Sequence, residues 1–166
     1  MDNSDSTHNL GRYFQSINDH ENMFKYYNMA IENGNSNSMN NLGNYYKYIN
    51  DHINMFKYYN MAIENNNSHS MNGLGNYYKS IKDYDNMFKY YVMAMENDNS
   101  DAMNNMGTYF ESIDEIEIAF LYYKLSSDFG SSTGSFNLCK LSIKYNIDID
   151  SKYNKIMDFY GINIEN

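Results

Sequence analysis

The chain repeats itself every 32 residues, and this period constrains its fold more than any other feature. Residues 7–38 read THNLGRYFQSINDHENMFKYYNMAIENGNSNS, residues 39–70 read MNNLGNYYKYINDHINMFKYYNMAIENNNSHS, and residues 71–102 read MNGLGNYYKSIKDYDNMFKYYVMAMENDNSDA. A fourth copy opens at Met103 and drifts after Ala119; a degenerate fifth runs from about Phe136. Self-similarity of this length marks an architecture of stacked supersecondary units. A single unit cannot bury its own apolar face, so each is stabilised by the neighbours it stacks against.

The columns of the repeat give the unit its physical form. A glycine column holds Gly11, Gly43, Gly75 and Gly107, preceded by Leu10, Leu42, Leu74 and Met106. Phe14, Tyr46, Tyr78 and Phe110 follow three residues on, and Ile17, Ile49, Ile81 and Ile113 complete an apolar stripe at helical spacing. This predicts a helix A of about 11–13 residues. Asp19, Asp51 and Asp83 suit the N-cap of a second helix, because a short carboxylate accepts from free backbone N–H groups. In the fourth copy Asp114 and Glu117 have capping-box spacing. Helix B then carries Met23, Tyr27, Ala30 and Ile31 on one face, repeated as Met55, Tyr59, Ala62, Ile63 and as Met87, Tyr91, Ala94, Met95. Asn22, Lys25 and Glu32 make its polar side. Gly34, Asn66, Asp98 and Gly130 suit the left-handed backbone that ends a helix.

These features predict an all-α fold, a right-handed α-solenoid of about ten helices in one domain. Residues 1–6 are expected to be frayed or disordered; 7–38, 39–70 and 71–102 form three clear repeats and 103–135 a divergent fourth. Residues 136–166 are expected to cap the stack, with a helix near Ser135–Tyr145 and another near Asp150–Tyr160.

Net charge narrows the partners. A formal charge of −9 disfavours nucleic acid and anionic membranes, which need clustered Lys and Arg, and points to neutral or basic protein partners. No apolar run reaches the roughly 20 residues that span a bilayer. The polar, acidic start lacks the basic and apolar regions of a secretory signal. The single cysteine, Cys139, excludes an internal disulfide and a CxxC metal site. A cytoplasmic setting is the expectation. The abundance of Asn, Ile, Lys and Tyr is what AT-rich codons specify, so much of the Asn reads as genome bias, from an AT-rich protist or a giant DNA virus infecting one.

At these same residues the sequence resembles two related families. Leu10-Gly11, Phe14, Tyr27 and Ala30 fall at the spacing of the tetratricopeptide (TPR) repeat. Ala102-Met103-Asn104-Asn105-Met106-Gly107-Thr108-Tyr109 is similar to the A-x-x-x-L-G-x-x-Y opening of the Sel-one-like repeat, and Gly34-Asn35 before Ser38 to its Gly-Asn-x-x-Ala junction. Asp19 through Tyr27 to Ala30 resembles its D-x-x-K-A-x-x-Y-Y-x-x-A run. The resemblance covers about residues 7–130. The unit is shorter than either family's, Met23, Met55 and Met87 stand where alanine is usual, and no proline closes the repeat. The resemblance implies an adaptor that binds peptides or protein surfaces and carries no chemistry of its own. The alternative is a structural protein that self-assembles through its solenoid ends as a homo-oligomer.

In such stacks the A helices line the concave face. The outward positions of helix A are Arg12 (with His8 and Gln15) in the first copy, Asn40, Asn44 and Lys47 in the second, Asn72, Asn76 and Lys79 in the third, and Asn104, Thr108 and Glu111 in the fourth. Rows of carboxamides both donate and accept, and so can hold an extended peptide backbone. Lys47 and Lys79 add charge for an acidic side chain or terminal carboxylate. Asn40 stands where a carboxylate clamp of the TPR kind has its first lysine, so that clamp is not expected. His20 and His52 share a column about 10 Å apart, too far to share an ion, and are read as surface turn residues. The paired tyrosines and the methionines are read as core, and Cys139, in the glycine column, as a small buried residue. No nucleophile–base pair, phosphate loop, calcium loop or zinc motif is present, so neither enzymatic activity nor a cofactor or metal is expected.

Overall fold

The computed structural model describes residues 3–148. Among them are nine α-helices and no strand: α1 (Asn3–Ser16), α2 (His20–Glu32), α3 (Ser36–Tyr48), α4 (His52–Ile63), α5 (Ser68–Ser80), α6 (Tyr84–Met95), α7 (Ser100–Ser112), α8 (Ile116–Asp128) and α9 (Ser132–Tyr145). They are successive helix–turn–helix repeats, an α-solenoid in which odd-numbered helices are helix A and even-numbered ones helix B. Helix α1 begins at Asn3, so it takes in residues expected to fray. Helix α9 starts three residues before the expected Ser135, because Ser131 caps it through a bond from the Gly134 N–H. The tenth helix, expected near Asp150–Tyr160, lies outside the described residues.

The described chain falls into two compact units, dividing between Asn97 and Asp98 in the turn that leads into the divergent fourth copy. In the first unit α1–α6 form three hairpins. Met23, Tyr27 and Leu42 make one buried cluster, and Met55, Tyr59 and Leu74 make its equivalent one repeat on. Burying a leucine fully contributes about 1.5–3 kcal/mol, so Leu42 and Leu74, which join one hairpin to the next, act as fasteners between repeats. In the second unit Ala119, Phe120, Tyr123, Leu138 and Leu141 form the core between α8 and its neighbours.

The glycine column exists to admit a tyrosine. In each hairpin the ring of Tyr27, Tyr59, Tyr91 or Tyr123 lies flat on the glycine of its own helix A. A Cβ at Gly43 would stand 2.5 Å from the Tyr59 ring, and one at Gly107 2.6 Å from that of Tyr123. A second ring pair fixes each hairpin from the side: Phe14–Tyr26, Tyr46–Tyr58, Tyr78–Tyr90 and Phe110–Tyr122 stack with ring centroids 5.2–5.5 Å apart.

The turns follow a strict chemistry. Asp19, Asp51 and Asp83 each accept from the backbone N–H of Asn22, Asn54 or Asn86 and from that residue's side-chain amide. Asn35, Asn67 and Asn99 cap α3, α5 and α7 in the same way, accepting from the N–H three residues on. Gly34, Asn66, Asp98 and Gly130 adopt the expected positive φ, between 56° and 83°.

Three expectations are corrected here. Ile17, Ile49, Ile81 and Ile113 do not complete the buried stripe: they follow the last residue of helix A and are about half exposed, at 47–54%. Asp114 does not open a capping box. It is the left-handed residue of its turn (φ 65°), as Asn18, Asn50 and Lys82 are in theirs, and the N-cap is Glu115, which makes no side-chain cap bond. Cys139 is exposed, not buried. The glycine column is buried by its own repeat's tyrosine, and the residue 16 positions after Cys139 is Lys155, where the earlier copies have Tyr27, Tyr59, Tyr91 and Tyr123.

Candidate functional site

Each buried tyrosine ends in a hydroxyl that must find an acceptor on helix A, and this requirement organises the outward face. Tyr59 donates to Asn44 Oδ1 at 2.6 Å, and Tyr91 to Asn76 Oδ1 at 2.8 Å. Tyr27 donates instead to Gln15 Oε1 at 2.6 Å, and Tyr123 to Glu111 Oε2 at 2.8 Å. The acceptor therefore comes from one of two positions a helical turn apart. Where asparagine supplies it, in the second and third copies, the other position is Lys47 or Lys79. Where Gln15 supplies it, the other position is Arg12. In the first unit every repeat thus keeps one cation on the helix-A face. Burial pushes the Tyr59 hydroxyl up to about 12, and moves that of Tyr91 upward as well.

Of the two predicted asparagine rows, the second is the more exposed. Asn44 sits exposed on α3 with its carbonyl oxygen accepting from Tyr59. Asn76, half-buried on α5, is held by Tyr91 in the same way. The first row serves the stack. Asn40 Oδ1 accepts from Ser70 Oγ at 3.0 Å, one repeat on, and in the first copy His8 Nδ1 meets Ser38 Oγ at 2.8 Å in the same register. Asn72 lies half-buried at the equivalent place on α5. Below this row, Asn67 Nδ2 reaches Ser36 and Asn37 of the preceding helix A. Adjacent A helices of the first unit are therefore joined directly by side chains.

Lys47 and Lys79 are half-buried, and desolvation lowers both ammonium groups from their usual range. Arg12 is exposed on α1. In the second unit the predicted positions are engaged internally. Asn104 Oδ1 accepts from Asn137 Nδ2 at 2.8 Å, Thr108 Oγ1 donates to the Asn104 carbonyl, and Glu111 pairs with Lys144 at 3.7 Å besides accepting from Tyr123. The structure thus groups Arg12, Asn44, Lys47, Asn76 and Lys79 on the outward side of α1, α3 and α5. The tyrosine hydroxyls that hold this group together were missed by the sequence reading. The signal was present: each repeat has an Asn, Gln or Glu at one of two helix-A positions.

The histidines occupy two environments. His20 and His52 open α2 and α4, exposed, with their rings edge-on to Tyr45 and Tyr77 of the following repeat. His8 is half-buried; desolvation, then the Arg12 charge, lowers its affinity for a proton. Among the described residues no group of three or more His, Cys, Asp or Glu is placed to hold a metal ion, and no helix is long and apolar enough to cross a membrane.

No protein-family model matches the chain, and no curated protein matches it in sequence. Its backbone is similar to that of a solved structure described as "Functional Characterization of Pseudomonas Aeruginosa pilF". The TM-score is 0.66 over 98% of this chain and 78% of that one, at 15% identity. At that identity the likeness bears on fold alone. That fold is an α-solenoid of helix–turn–helix repeats.

Proposed function

We propose that the chain is a protein-interaction scaffold whose first unit binds an extended polypeptide along the outward side of α1, α3 and α5. The observation that supports this most is the pair of bonds from Tyr59 to Asn44 and from Tyr91 to Asn76. They fix the carboxamide oxygens of two asparagines one repeat apart, and the exposed Asn44 amide is suited to a carbonyl group of a peptide backbone. Ordering these side chains before a ligand arrives lowers the entropy lost on binding. The junction Gly34-Asn35-x-x-Ser38 supports the Sel-one-like variant of the fold: Asn35 caps α3, and Ser38, fully buried, is small enough for the close approach of α1. A cytoplasmic location is part of this reading.

Alanine at Asn44 and Asn76 would leave two tyrosine hydroxyls without their acceptors and confuse binding with stability. Asn44→Asp with Asn76→Asp keeps the acceptor and removes the donors. Against peptides selected on the parent protein from an uncharged library, the double variant is expected to lose about tenfold in affinity with its melting temperature little changed. Affinity equal to the parent's refutes this surface.

A second reading has its own observation. Leu10 and Tyr13 are 41% and 57% exposed on α1, while Leu42 and Leu74, the equivalents of Leu10, are fully buried. A second copy seated on that face would bury them. Light scattering through a dilution series is expected to show dissociation of a dimer; a monomer at every concentration removes this reading.

A further inference from the structure

Five lysines among the described residues have a side-chain partner. Lys25, Lys57 and Lys89 on the B helices lie over the rings of Tyr26, Tyr58 and Tyr90, with Nζ 5.1–5.6 Å from the centroids. Lys124 pairs with Asp128, and Lys144 with Glu111. The side chains of Lys47 and Lys79 have no ion pair, hydrogen bond or ring contact with any described residue, yet both residues are half-buried. A partly desolvated ammonium with no counter-charge is unfavourable until an anion reaches it.

Charge is also segregated between the two kinds of helix. Helices α3 and α5 contain no Asp or Glu at all, and each carries one lysine. The acids of the first unit lie mostly on the B helices and the turns, among them Asp19, Glu21, Glu32, Asp51, Glu64, Asp83, Asp85 and Glu96. The charge of −9 is therefore not the charge of this face. At long range the molecule repels anions; at α3 and α5 it presents two cations with no ion pair among the described residues, on the same helices as Asn44 and Asn76.

We infer that Lys47 and Lys79 each receive one carboxylate side chain of an acidic segment lying across α3 and α5, and that the polypeptide bound by the helix-A face carries acidic residues three apart. This rests on the reading of that face given above. The spacing follows from geometry. Equivalent points on packed neighbouring helices are about 10 Å apart. Acids at i and i+3 of a polyproline-II strand lie on one side of it, about 9 Å apart. A chain terminus offers a single carboxylate, so two equivalent lysines on successive repeats favour side chains within a segment.

Two short peptides test this, both acetylated and amidated so that no terminal charge remains: one with glutamates three apart in a Ser/Asn/Gly background, the other with glutamines there. Each is titrated by calorimetry into the full chain, into Lys47→Gln/Lys79→Gln and into Lys57→Gln/Lys89→Gln, with amide chemical-shift mapping. The glutamate peptide is expected to bind the parent about tenfold more tightly than the glutamine peptide. That advantage should vanish in the first double variant, persist in the second and shrink with salt. Equal binding of the two peptides, with shifts on α3 and α5, overturns the inference and leaves the helix-A reading standing. Shifts confined to α4 and α6, or a glutamate advantage that survives loss of Lys47 and Lys79, overturn both. Failure of the glutamate peptide to bind overturns the assignment to side chains, and if the same peptide with a free C-terminus then binds, a terminal carboxylate is the ligand.

Discussion

Tyr59 shows how one side chain ties core to surface. Its ring fills the space that Gly43 leaves open, and its hydroxyl orients Asn44 on the outside. Two predictions belong to this residue and its equivalents. Gly75→Ala gains about 1 kcal/mol of helix propensity but drives a methyl group into the Tyr91 ring, and we expect a net loss of about 1–2 kcal/mol in chemical denaturation. Burial holds the Tyr59 phenol up to about 12 against 10 for an exposed one, so above pH 10 the unfolded chain ionises first. Folding stability is thus unaffected below pH 10 and is expected to fall as pH rises from 10 to about 12, with tyrosine absorbance and helical ellipticity changing together. Legibility at this scale was uneven. The ring's burial was evident from its column, because helical periodicity reports which side faces inward. Its hydroxyl partner was not, because the acceptor alternates between two positions a turn apart and so leaves no constant column. The asparagines mislead in the opposite way. Asn35, Asn67 and Asn99 cap helices from buried positions, and Asn22, Asn54 and Asn86 bond the capping aspartates, so much of what resembles codon bias has a structural task.

The turns decide where each helix begins, and they obey local chemistry closely enough to be read in advance except where a column changes residue type. Asp19, Asp51 and Asp83 were legible as caps. In the fourth copy the equivalent is Glu115, whose longer side chain makes no cap bond, and the neighbouring Asp114 drew the expectation one residue too early. Shortening that side chain should restore the bond. Glu115→Asp is expected to stabilise the protein by about 1 kcal/mol, read as a higher thermal midpoint, while Asp83→Asn should change little because asparagine caps equally well. The side-chain amide of Asn22, and then its backbone N–H, hold the Asp19 carboxyl below its usual range; Asn54 does the same for Asp51. These two caps therefore persist above the ordinary carboxylate range and are lost only as pH falls through the lowered values. The isoleucine column was misplaced for a related reason: helical periodicity carried on past the residue where the turn had already ended helix A.

For the molecule as a whole, a 32-residue period made the fold legible, since two-helix units that stack are the economical way to bury one apolar face per helix at that length. The candidate face was legible only as a set of positions. Its narrowing to the first unit depended on bonds that no spacing reveals: Asn104 held by Asn137, and Glu111 by Tyr123 and Lys144. Whole-chain charge was a poor guide to this face, because summing over residues erases the separation between acid-free α3 and α5 and the acidic turns and B helices. The side-chain amide resonances of Asn44, Asn76, Asn54 and Asn86, followed while the acidic peptide is added to the labelled protein, test the account at its centre. The account predicts that the Asn44 and Asn76 amides shift together and saturably, while those of Asn54 and Asn86, bound to Asp51 and Asp83, stay in place. Shifts at Asn54 and Asn86 with Asn44 and Asn76 unmoved would contradict it.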